Sequence, residues 1–150
     1  MNGTPRFEVM NPLNTTIEEA EMIIAQLQTA SDTLERAIAD ERQWHSNYRD
    51  ALDAYETAEL EELSEVIVMA QQKEGPLGGI AATSKAYDIA LTKLKNDLRK
   101  GILAHLWTKA ERVRRSYEQS QVELQQAETR FNALRKVADV KTQILRASCL

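Results

Sequence analysis

Apolar residues recur in steps of three and four along most of this chain, the pattern of amphipathic helices that pair along a narrow seam. In the first half the series runs Ile24, Leu27, Ser31, Leu34, Ile38, Glu41, His45, Tyr48, Leu52 and Tyr55. Beyond Tyr55 the next apolar positions are Leu60, Leu63, Val66, Ile67 and Ala70, so the phase slips and a stutter or local unwinding is expected near Thr57. In the second half Leu106, Ala110, Val113, Tyr117, Ser120, Leu124, Ala127, Phe131, Leu134 and Ala138 follow one another without a slip. The small members of that series, Ala110, Ser120, Ala127 and Ala138, would let a partner helix approach closely.

Start and stop signals divide the chain. Residues 1–14 contain Gly3, Pro5 and Pro12 and no helical period, and read as a flexible N-terminal tail. Thr15 and Glu18 have the spacing of a capping box, which opens an acidic helical arm over 15–73, on the order of 85 Å long at ~1.5 Å per residue. Gly75 can take a left-handed cap and Pro76 cannot continue the helix, so 74–83 reads as a Gly/Pro turn. A basic helical arm then occupies 84–150, capped by Thr83 or Ser84, with Ala86, Ile89, Ala90, Leu94 and Leu98 as its first apolar stripe. Gly101 leaves two alternatives, a break that isolates a short helix over 84–99 from a long one beginning at 102, or one uninterrupted arm.

The fold class that follows is all-α, a long antiparallel helical hairpin of coiled-coil type with a possible short third helix near the turn. A turn centred near residue 77 would set Glu41 against Arg112 and His45 against Thr108 or Lys109, polar contacts that would fix the alignment of the arms.

Charge sharpens this picture. Residues 1–75 carry 5 Lys and Arg against 16 Asp and Glu, whereas residues 76–150 carry 14 against 7, giving a whole-chain charge of −4. An acidic arm folded on a basic one favours antiparallel closure, although exposed ion pairs each contribute little. With aromatics at only 5% of the chain, the composition suits long helices rather than a sheet protein. The single cysteine, Cys149, excludes a disulfide within one chain and suits a reducing compartment. The N-terminus lacks an apolar leader, and runs such as 66–70 are too short to span a bilayer, so a soluble, cytoplasmic protein without a membrane partner is expected.

Chemistry-bearing motifs are sparse. His45 has Glu41 four residues upstream, a bare two-ligand pair that does not make a metal site, and His105 lies on the other arm. The serines and Cys149 sit in no activating context. The glycines of 75–79 lack P-loop spacing and a preceding strand. No catalytic, cofactor or metal residue is therefore assigned, and no cofactor is expected. Lys95, Arg99, Lys100, Arg112 and Arg115 could follow a phosphate backbone, with Trp107 and Tyr117 nearby, although Tyr117 belongs to the apolar seam. Candidate seam or interface residues are Trp44, Tyr48, Tyr55, Leu106, Val113, Leu124, Phe131 and Leu134, with Ile67 a further anchor candidate.

The stretch Gly78, Gly79, Ile80, Ala81, Ala82, Thr83, Ser84, Lys85, then Leu91 and Leu94 and a long Leu/Ala/Arg/Glu helix through Phe131, Asn132, Ala133, Leu134 and Arg135, resembles small helical coiled-coil proteins of phages and prophages. The resemblance spans roughly residues 20–147. Many such proteins are encoded near replication and recombination genes, so it implies a DNA-metabolism setting without assigning an activity. Together these readings lead to the expectation of a non-enzymatic coiled-coil scaffold, phage or prophage encoded, that forms a homo-oligomer or binds a protein partner as yet unidentified. The alternative is an accessory factor in replication or recombination that contacts nucleic acid through the basic arm.

Overall fold

A computed structural model describes residues 12–148, with side chains described from Ile17 onward. It contains three helices, α1 (Pro12–Gln71), α2 (Lys85–Lys100) and α3 (Ala104–Ser148), and among the described residues there are no strands. The long helices α1 and α3 pack together, and the fold is an all-α helical hairpin. The residues expected to form the tail, as far as position 11, and Cys149 lie outside the described residues.

Helix α1 begins at Pro12, before the expected Thr15 cap, and proline at a first helical position has no amide hydrogen to leave unsatisfied. It runs unbroken through the expected stutter near Thr57. Its end also differs from expectation. The left-handed residue is Lys73 (φ 59°) rather than Gly75, with Lys73 N–H donating to the Ala70 carbonyl and Glu74 N–H to the Met69 carbonyl. Those two bonds form a Schellman motif in which Lys73 holds the place glycine usually takes. Gly75 (φ 75°) and Gly79 (φ 74°) then bend the turn, and a Cβ at Gly78 would lie 2.7 Å from the Glu74 carbonyl oxygen. Leu77, only 1% exposed, anchors this segment.

Helix α2 is capped by Ser84, whose hydroxyl accepts from the Tyr87 amide at 3.2 Å. Asp88 at its start and Arg99 and Lys100 at its end complement the helix dipole. Gly101 breaks the second arm: its amide closes α2 on Asp97 and Leu98, and α3 starts three residues later. The inward stripe of α2 is half-buried Tyr87, Ala90, Leu91, Leu94 and Leu98, whereas Ala86 and Ile89, expected in it, are exposed.

The chain divides into two compact units, one formed by Met1–Glu41 with Ser120–Leu150, the other by Arg42–Gln119. In the first, Ile23, Ala30, Ser120 and Ala127 are buried, flanked by half-buried Leu27, Leu34, Leu124, Phe131 and Leu134. In the second, Ala51, Tyr55, Leu63, Leu77, Leu103 and Ala110 are buried. The inward face of α3 follows the 4-3 series that starts at Leu106 and extends it to Lys141 and Leu145.

The inward face of α1 takes in 23, 27, 30, 34, 37, 41, 44, 48, 51 and 55, with the expected Ser31, Ile38 and Leu52 half-buried beside it, so of the expected seam only Ile24 and His45 fall outside. Ile24 is 65% exposed and His45 is exposed, while Ala30, Ala51 and half-buried Ala37 and Trp44 point inward. Both series share Leu27, Leu34, Glu41, Tyr48 and Tyr55. The one realised places alanines at 30, 37 and 51 in the seam, and small side chains admit the closest packing. Leu60, also expected inward, is 65% exposed, and the seam continues instead through Ala58, Glu59, Glu62 and buried Leu63.

Candidate interaction surfaces

In the Arg42–Gln119 unit the helices meet at an aromatic and cationic cluster. Tyr55 of α1 is 2% exposed and its ring lies 5.0 Å from that of Trp107 of α3, tilted by 57°. Arg99 reaches in from the last turn of α2, where its charge also suits the helix end. Its guanidinium lies 4.3 Å from the Trp107 ring centre, and its Nε donates to the Tyr55 hydroxyl at 3.0 Å. The Tyr55 hydroxyl in turn donates to Glu59 at 2.5 Å. Burial, reinforced by the Glu59 carboxylate, raises the Tyr55 pKa above the ordinary tyrosine value despite the Arg99 contact. Sequence reasoning found all three residues but not their meeting, because α2 and the break at Gly101 bring Arg99 to the seam.

Nearly three helical turns further along α3, Tyr117 stacks on His45 (5.1 Å between ring centres, 26° between planes) and on Tyr48 (6.0 Å, 19°). The pairing of His45 with Tyr117 and of Tyr55 with Trp107 makes α1 and α3 antiparallel in this unit. It replaces the expected meeting of His45 with Thr108 or Lys109. The turn is not a simple bend about residue 77: α2 and the 101–103 connection are inserted before α3 starts.

The basic candidates separate into two groups. Arg99 is half-buried and occupied by Tyr55 and Trp107, and Lys95 is half-buried. Lys100, Arg112 and Arg115 are exposed. Arg114 beside them pairs with Glu111 and Glu118, both at 2.7 Å. Its hydrogen bond holds the Glu111 carboxyl below the ordinary carboxylate range, and the same bond raises the guanidinium pKa. Trp107 and Tyr117, the aromatics near the basic candidates, both face side chains of this unit. Leu106 and Val113 are half-buried on the same side of α3 as Ala110. Among the described residues no group of three His, Cys, Asp or Glu is placed to hold a metal ion, and no helix is long and apolar enough to cross a membrane.

In the unit of Met1–Glu41 and Ser120–Leu150, Glu19 accepts from Lys141 across the helix pair at 2.8 Å. Between the helices, over Ala37 and Ala127, lies an open cleft of about 460 Å³ edged by Arg36, Asp40, Glu123 and Arg130. Large apolar side chains also stand in solvent on this unit: Ile17 (44% exposed), Met22 (62%) and Ile24 on α1, and Val137 (45%), Val140 (54%) and Ile144 (48%) on α3. The last three, with exposed Ala133 and Ala147, repeat in steps of four and three, a second seam on α3 distinct from the inward one. That series was visible in the sequence, but it was masked by the longer inward series that starts at Leu106.

Comparison of the chain with protein-family models, with curated proteins and with solved structures finds no match in any of the three.

Proposed function

We propose that this protein is a non-enzymatic interaction module that works through protein–protein contacts, including contacts with copies of itself. The observation that carries the reading is the second 4-3 series on α3, exposed at Val137, Val140 and Ile144. A helix that presents an apolar stripe in heptad spacing to water is built to be covered by another helix. The setting proposed with it, the cytoplasm of a phage-infected or prophage-bearing cell, rests on the sequence resemblance alone.

A nucleic-acid role rests on Lys100, Arg112 and Arg115, which are exposed. It is the weaker reading, because Arg99, Trp107 and Tyr117 are engaged within the protein. Titration against labelled single- and double-stranded DNA at low and physiological salt, with the mass of the free protein measured on the same preparation, separates the two. The interaction reading expects self-association and no binding to DNA at physiological salt. Micromolar binding that survives physiological salt, and that charge reversal at Arg112 and Arg115 abolishes with helicity intact, would replace it with the nucleic-acid reading.

A further inference from the structure

We infer that copies of this chain associate head to tail, the acid-rimmed Ile17/Ile24 stripe of one copy docking on the base-rimmed Val137/Val140/Ile144 stripe of the next. The inference rests on the protein-interaction reading and specifies its partner as a second copy. Three observations carry it, all within the unit of Met1–Glu41 and Ser120–Leu150.

The first is position. Ile24 directly follows the inward residue Ile23, whereas Val137 and Ile144 directly precede the inward residues Ala138 and Leu145. Each residue advances a helix by about 100°. In an antiparallel pair, a step forward on one helix and a step backward on the other lead to opposite flanks. The two stripes therefore lie on opposite flanks of the unit and cannot cover each other within one copy. Met22, which precedes Ile23, falls on the α3-stripe flank and widens the apolar patch there.

The second is charge. The α1 stripe is bordered by exposed Glu21, Asp32 and Glu35, with no basic residue on that flank of α1 before Arg42. The α3 stripe is bordered by exposed Arg130 and Lys136, while Lys141 is held by Glu19 of the same copy and Asp139 lies on the other side of the helix. Each rim would repel its own kind, which disfavours stripe-on-like-stripe pairing, and each attracts the other. The third is extent: the stripes place three large apolar side chains on one flank of α3 and two on the opposite flank of α1, all more than 40% exposed.

Because each copy offers one stripe of each kind on opposite flanks, the contact is heterologous. Assembly continues beyond two copies unless it closes into a ring.

Two double variants, Ile17→Gln with Ile24→Gln and Val140→Gln with Ile144→Gln, remove one stripe each from exposed positions and keep good helix formers. Far-UV circular dichroism and thermal melts confirm that each keeps the wild-type fold. Mass is then measured by light scattering across a concentration series. The wild type is expected to reach three copies or more, each double variant alone to stay at one chain mass, and their equimolar mixture to stop at twice the chain mass. The mixture forms dimers because each variant supplies the stripe the other lacks, and one such contact leaves no second usable pair. The inference is overturned by a wild type no larger than a dimer, by either variant keeping the wild-type mass, or by a mixture that stays at one chain mass. A wild-type oligomer insensitive to both variants would discard this pairing while leaving the interaction reading in place. A monomeric wild type that binds DNA would discard both.

Discussion

Lys73 occupies a left-handed conformation at the end of α1 that an L side chain adopts at a cost of roughly 1–2 kcal/mol. Lys73→Gly is expected to raise stability by about 0.5–1 kcal/mol, the relieved strain outweighing the extra freedom glycine gains when unfolded. Urea denaturation at constant m would register this as a higher midpoint. Gly75, only two residues on, made the end of the helix legible but not the residue that closes it. That was decided by which amides reach the Met69 and Ala70 carbonyls. Tyr55 makes a second prediction, set by the sign of its shift. Its pKa is raised in the fold, so the native state holds the phenol proton more tightly than the unfolded chain does, where tyrosine titrates near about 10. The corresponding stability is present below that value and lost as pH rises through the folded value. Wild-type stability should therefore fall above pH ~10, and Tyr55→Phe should flatten that fall while costing about 1 kcal/mol at neutral pH through lost hydrogen bonds to Arg99 and Glu59. An equally steep alkaline fall in the variant would locate the titrating group elsewhere.

At the scale of elements, the phase of α1 is the feature that mutation tests most directly. Ala30 is 3% exposed and Ile24 65% exposed, the reverse of what side-chain size alone suggests. Ala30→Leu should destabilise by about 1–3 kcal/mol by overpacking the seam. Ile24→Ala should leave the stability of the monomeric protein within about 0.5 kcal/mol. The opposite ranking in chemical denaturation would restore the seam through Ile24. In α3 the apolar period led directly to the inward face, because its large residues and its small ones fall in a single series. In α1 two series interleave, and of the expected one Ser31, Ile38 and Leu52 stay half-buried while Ile24 and His45 are exposed. The break at Gly101 was one of two readable outcomes. The 3.0 Å approach that a Cβ at Gly101 would make to the Asp97 carbonyl oxygen shows why glycine suits the site.

For the molecule as a whole, the segregation of acids into the first half and bases into the second contributes little to stability. Glu19 and Lys141 join the helices, but both side chains are well exposed, at 48% and 38%. Arg114 satisfies its charge within α3. Glu19→Gln should accordingly change stability by less than about 1 kcal/mol, and added salt should move the melting temperature little. A loss of several kcal/mol would instead make cross-helix charge a main support of the fold. Substitutions in the apolar seam, such as Phe131→Asp, should reduce helicity or melt the protein at lower temperature, because they place a charge where half-buried apolar contacts now stand.

Periodicity, cap residues and the Gly/Pro cluster determined by themselves that this chain is all-helical, where its long helices turn, and which face of α3 points inward. These are local properties, set by a repeat of about 3.6 residues and by which residues can leave a helix. Only the tertiary structure decided the phase of α1, the register of His45 on Tyr117, the capture of Arg99 by Tyr55 and Trp107, and the opposite flanks taken by the two exposed stripes. Each of those depends on how closely two backbones approach and on how many residues the turn inserts between them. A one-dimensional pattern constrains neither, because an alanine and an isoleucine in adjacent positions satisfy the same heptad until a second helix selects between them.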